Sequence, residues 1–136
     1  MGALSVVFHV DASQADGSVT VFECLAPAHA RMPAPHSHDN FDETAFGLEG
    51  VTTFTVAGEQ IDLHAGESVF IQRGVVHAFD NRGDDDARFL AIISPGLLGP
   101  SYFEEIAEVV GSGGPPDIGR IGEVMRRHGL TPAAPA

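Results

Sequence analysis

The sequence predicts an all-β fold, a closed or sandwiched antiparallel barrel finished by short C-terminal helices. Three observations carry this reading. Short β-branched and aromatic segments recur from Leu4 to Ser94, the connections between them are hairpin-like, and no helix alternates with the strands. At 136 residues the chain is one domain, long enough to bury about two-thirds of its unfolded surface. Within it, residues 1–98 are expected to form the barrel and residues 99–136 a helical extension packed on it.

Leu4–Val10 (LSVVFHV) is an early strand, in which His9 reads as structural. Asp11–Ser18 is a polar, glycine-containing loop. Val19–Leu25 (VTVFECL) alternates, with either face able to turn inward. Cys24 there reads as a small buried side chain rather than a redox-sensitive one. Ala26–Pro35 holds three prolines and is irregular; His29 and Arg31 within it lie close in sequence to the candidate site, with solvent exposure as their default. Thr44–Leu48, Val51–Val56, Gln60–Leu63, Ser68–Ile71 and Ala87–Ser94 follow as strands. Glu49-Gly50, Ala57-Gly58-Glu59, a turn closed by Gly66, and the charged run Asn81–Asp86 connect them.

After Pro95-Gly96 the pattern turns helical. Ser101 to Glu104 matches a capping box, and Phe103, Ile106, Val109 and Val110 form an apolar stripe ended by Gly111. Ser112–Pro116 reads as a linker. Asp117 caps a second helix with Ile118, Ile121, Val124 and Met125 on one face and Gly129 past its end. Thr131–Ala136 reads as a mobile tail.

Composition removes several classes of function. The formal charge is −12 and all seven basic residues are arginines. An acidic chain is a poor partner for nucleic acid or an anionic membrane. Without lysine there is no Schiff-base chemistry and no Walker-type phosphate loop. The single cysteine forms no internal disulfide and no thiolate metal site. No apolar run is long enough to cross a membrane and the start lacks a basic signal region, so a cytoplasmic setting is expected.

The chemistry concentrates at His36-Ser37-His38. On a strand, alternate side chains share a face, so both imidazoles point the same way. Glu43 lies an odd number of positions beyond His38 and needs a turn or bulge at Asp39-Asn40 to face them. His77, from a turn preceded by Gly74, adds a third imidazole, and Phe79 shares its inward face. The expected site is three neutral imidazoles and one carboxylate around one divalent ion. Fe, Mn, Ni, Co, Cu and Zn all suit such ligands.

The spacing around these residues carries a resemblance. From His36 the chain reads HxH, four residues, Glu43, six residues, Gly50. Fifteen residues later it reads Gly66, five residues, Gln72, one, Gly74, two, His77, three, Asn81. This resembles the two motifs of the cupin superfamily, and every metal-ligand position of that pattern is matched. One turn position departs, where Gln72 stands in place of the usual proline, which bears on loop rigidity and not on ligation. The resemblance implies a double-stranded β-helix, a small jelly roll with the metal inside, and commonly a homodimer, for which the first strand and the apolar helices would serve. It further implies that His36, His38, Glu43 and His77 hold the metal and that Glu43 acts as a base. Small quercetin-dioxygenase-like cupins are the nearest in character, which implies an oxygenase acting on an enolic or phenolic small molecule. Two alternatives stay open: a non-oxidative isomerase, lyase or polyketide cyclase, and a non-catalytic small-molecule-binding protein.

Overall fold

The structure is a computed structural model that describes residues 4–32, 34–111, 115 and 117–133. Among the described residues ten strands and two helices follow in chain order. They are β1 (Ser5–Val10), β2 (Thr20–Ala26), β3 (His36–His38), β4 (Asp42–Glu49), β5 (Val51–Val56), β6 (Glu59–His64), β7 (Ser68–Ile71), β8 (His77–Asp80), β9 (Ala87–Ser94), α1 (Pro100–Val110), α2 (Ile118–Arg127) and β10 (Leu130–Pro132). They form two antiparallel five-stranded sheets, ordered β1-β2-β9-β4-β7 and β10-β3-β8-β5-β6. Successive strands cross repeatedly between the sheets, as in a jelly roll, and the inner faces meet over Phe41, Phe54, Phe89, Ile71 and Ile93, each fully buried. No helix among the described residues is long and apolar enough to cross a membrane.

Alternation settles what the pattern of the second strand left open. Thr20, Phe22, Cys24 and Ala26 face inward, while Val21, Glu23 and Leu25 are only half-buried. The β5–β6 hairpin turns on Ala57 and Gly58 alone, both at positive φ (51° and 83°), while Glu59 opens β6 instead of belonging to the connection. On the outer face of the first sheet Val7, Phe46, Leu48 and Phe70 remain exposed. By contrast, the apolar faces of the helices turn mostly inward, through Tyr102, Ile106 and Val109 on α1 and Ile121, Val124 and Met125 on α2.

Three expectations for the C-terminal region are corrected. No capping box forms at Ser101: the helix starts two residues earlier than that cap would place it, with Gly99 as N-cap, Pro100 in the first turn and no side-chain cap bond. Proline's fixed φ and missing N–H suit that position and displace the start. On α2 Asp117 does cap, accepting from the Arg120 N–H, but Ile118 is exposed rather than part of the packing face. Thr131 and Pro132 are not a loose tail. Leu130–Pro132 pairs with β3, placing Leu130 opposite His38, Thr131 opposite Ser37 and Pro132 opposite His36. The Asp39 N–H donates to the Gly129 carbonyl (2.8 Å), the Thr131 hydroxyl to Asp39 Oδ1 (2.6 Å) and the Ala133 N–H to the Pro35 carbonyl (3.0 Å). Residues 134–136, like 112–114 and 116 of the expected linker, lie outside the described residues.

Asn81 ties the charged turn to the barrel. It is buried, its amide donating to the carbonyls of Ala26 (2.8 Å) and Asp85 (2.7 Å) while its oxygen accepts from the Gly83 N–H (3.0 Å). Asn81→Ala would orphan those backbone groups, so a loss of about 2–4 kcal/mol is expected in denaturant unfolding.

Candidate metal centre

His36 and His38 come from β3 and His77 from the start of β8, where His36 and His77 are direct cross-strand partners. All three are buried. Gly74, at φ 84°, makes the turn that precedes His77, and its N–H donates to the His38 carbonyl (2.7 Å). Glu43 arrives from the opposite sheet, on β4 between Ile93 and Ile71. The bends at Asp39 and Asn40 carry the chain from one sheet to the other, and that crossover, rather than a bulge within one strand, turns the carboxylate inward.

One ring nitrogen of each histidine lies within 4.8 Å of one on each of the others. Ring centroids stand 4.5 to 5.1 Å apart. Glu43 lies beside this group, its Oε1 3.8 Å from His38 Nε2. Backbone carbonyls fix two of the rings: the Nδ1 atoms of His36 and His77 each lie 3.0 Å from an acceptor, Ala34 O and Val75 O. With the proton held at Nδ1, Nε2 keeps its lone pair for a ligand. The His38 ring stacks on Phe41 (4.4 Å between centroids), and its buried Nδ1 has no hydrogen-bond partner.

Electrostatics keep the rings neutral. Burial, and then the neighbouring rings, push His36 down to about 3 and His38 down to about 2, and burial also lowers His77. Burial alone pushes Glu43 up to about 7, with no arginine offsetting it. Arg73 is the nearest in sequence register and is spent elsewhere. Its guanidinium and backbone N–H bind Asp42 at 2.8, 3.2 and 3.1 Å, which anchors the Gln72–Gly74 turn without the proline expected there. The result is three free imidazole lone pairs and a buried carboxylate lacking a counter-charge. A divalent cation fits this set: it would satisfy the lone pairs and restore the carboxylate to its ionised form.

The centre borders a cavity of about 50 Å³. Its walls are apolar: the strands contribute Val6, Phe22, Cys24 and Phe79, and the segment before β3 adds Met32. Burial, with the charge of Glu43 adding to it, pushes the Cys24 thiol up to about 12, which fits an inert small side chain. Much of the rest of the wall comes from the C-terminal segment: Leu98, Tyr102, Phe103, Met125 and Leu130. The apolar stripes of the C-terminal helices thus roof this side of the cavity as well as packing on the barrel. His29 and Arg31 stay outside the cavity, His29 pairing with Asp84 (2.9 Å) and Arg31 bridging to Asp80 through its backbone.

Residues 21–93 match the family model for the cupin domain. The chain is a cupin. Over 71 residues this cupin is 35% identical to the tetracenomycin polyketide synthase protein TcmJ of Streptomyces glaucescens, a stretch covering 52% of this chain and 46% of that protein. The cupin thus spans under half the length of that relative. Among solved structures it is similar to a cupin protein from Bacteroides fragilis (29% identity, TM-score 0.60, covering 70% of this chain and 80% of that one). A predicted oxalate decarboxylase from Thermotoga maritima shares the fold (22% identity, TM-score 0.64, 68% and 80% covered). The matched segment contains all three histidines and Glu43, and it ends before α1.

Proposed function

We propose that this cupin is a metal-dependent enzyme acting on a small molecule through an enolic or phenolic oxygen. In this reading His36, His38 and His77 hold a divalent transition metal and Glu43 completes or borders its ligand set. The observation that carries it is the convergence of three uncharged imidazoles with a buried, uncompensated carboxylate inside an apolar cavity. Bound there, the ion would supply Lewis acidity toward an oxygen donor and, for a redox-active metal, a means of engaging dioxygen.

The protein's own groups would divide the remaining work. Glu43, kept ionised by the bound cation and lying beside the histidines, is placed to take the acidic proton of an enol or phenol. The aromatic and aliphatic walls hold the carbon skeleton and exclude water, which strengthens each charge interaction inside. No arginine lines the cavity among the described residues, so a second carboxylate or a phosphate on the substrate would find no partner.

Two reactions suit this arrangement. Addition of oxygen to the enol is the first. Likeness to a protein named for a polyketide synthase favours the second, a non-oxidative cyclisation or isomerisation of an enolisable polycarbonyl chain. Anaerobic reconstitution with Fe, Mn, Ni, Co, Cu or Zn, then oxygen-electrode measurements with diketones and flavonols, separates them. Oxygen uptake that needs both metal and substrate is the expected result for an oxygenase, whereas product formed under argon identifies the cyclase. A reconstituted protein whose metal spectrum no enol perturbs would overturn both and leave a structural ion.

A further inference from the structure

The space beside the histidines, about 50 Å³, lies far below the volume of a whole small-molecule site and holds only the reacting end of a substrate. It is not the end of the apolar interior. A second space of about 310 Å³ opens between β1 and α1, and Leu4, Val6 and Phe103 line both. Helix α1 brings Pro100, Phe103, Glu104 and Ala107 to it, positions that share one helical face. The Phe103 ring is half-buried at the junction, 5.8 Å from Phe8 and 5.0 Å from both Phe22 and Tyr102 between centroids. The outer space alone reaches the volume range of small-molecule sites, about 300–1,000 Å³.

Its chemistry is one-sided. Glu104, at the rim, is its one charged residue among the described residues, and no arginine borders either space. An anionic group placed here would be desolvated beside a carboxylate with no cation to meet it. We infer that the outer space between β1 and α1 is the second half of the substrate site, taking the uncharged apolar body of an elongated molecule whose oxygen-bearing end reaches the histidines past Phe103. This rests on the metal-centred reading above and adds to it the shape and charge of the rest of the substrate. The helix concerned lies beyond the family-matched segment, so the selection belongs to this chain's own C-terminal extension.

The test compares phenol with 4-phenylphenol on Co(II)-loaded protein, read by the cobalt d–d absorption. Wild type is expected to bind 4-phenylphenol at least tenfold more tightly than phenol. Ala107→Trp, which fills the outer space, is expected to abolish that preference while leaving cobalt content and phenol binding unchanged. Glu104→Arg, an exposed change that spares the core, is expected to tighten binding of 4′-hydroxybiphenyl-4-carboxylate at least fivefold. Equal affinity for the two phenols in wild type, or a preference that survives in A107W and no response in E104R, overturns the inference. Failure of the metal reading has a different signature, absent cobalt uptake. In that case 4-phenylphenol fluorescence with the metal-free wild type and A107W still decides whether the outer space binds.

Discussion

Replacing His38 with alanine is expected to lower metal affinity well beyond the about 10–100-fold that follows loss of an outer hydrogen-bond partner. On dialysis against dilute metal the variant should retain less than about a tenth of the wild-type ion content, by analogy with loss of a ligand from a four-ligand site. The ring is buried against Phe41 and flanked by His36 and His77, so no neighbouring side chain can swing in to replace its nitrogen. Truncation also leaves a small void, which by itself costs about 1–3 kcal/mol. Emptying must therefore be separated from unfolding. The backbone of β3 keeps its pairs with β8 and β10, and circular dichroism is expected to retain the wild-type strand signal. His38→Gln provides the control: it fills the volume and offers an amide, but it lacks the imidazole donor. If both variants bind metal as wild type does, the three histidines are not a metal centre.

How much of this could be read from the chain depends on how local each cause is. His36 and His38 share a face because strand geometry has a period of two, and their partnership with His77 follows a spacing carried by Gly74 and the turn before it. The elements Val51–Val56, Ser68–Ile71 and Ala87–Ser94 match the observed strands because alternation and turn residues bound them. What was hidden is non-local. Leu130-Thr131-Pro132 is too short to announce a strand, and it becomes one because β3 offers an edge with donors and acceptors to satisfy. The Asp42–Arg73 clamp joins residues 31 positions apart, which no window along the chain reveals. Likewise the helical stripe marked an apolar face but not its neighbours. Tyr102, absent from that stripe, is buried, while Phe103 sits half-buried where the two spaces meet.

Glu43→Gln is expected to have opposite effects with and without metal, and the sign follows from burial. In the metal-free protein the carboxyl is raised from its ordinary 4.5 to about 7. A group raised on folding contributes its stability below its unfolded value and loses it as pH climbs through the folded one, so the loss runs from about pH 4.5 to about pH 7. Above that window the buried carboxylate costs on the order of 3 kcal/mol, which glutamine removes. The histidines act on the other flank. Their folded values are depressed, to about 3 and about 2 for His36 and His38, so stability present above their ordinary 6.5 is lost as pH falls below it. E43Q leaves that acid flank untouched. Thermal unfolding in chelator is therefore expected to show the variant more stable than wild type at pH 8.5 and nearly equal to it near pH 4.5. Adding the divalent ion should reverse the order at pH 8.5, because the cation turns the carboxylate from an uncompensated charge into a paired one. Parallel pH profiles for the two proteins in chelator would show that Glu43 is not a buried, unbalanced acid, and a variant that gains as much from metal as wild type does would remove it from the ion's surroundings.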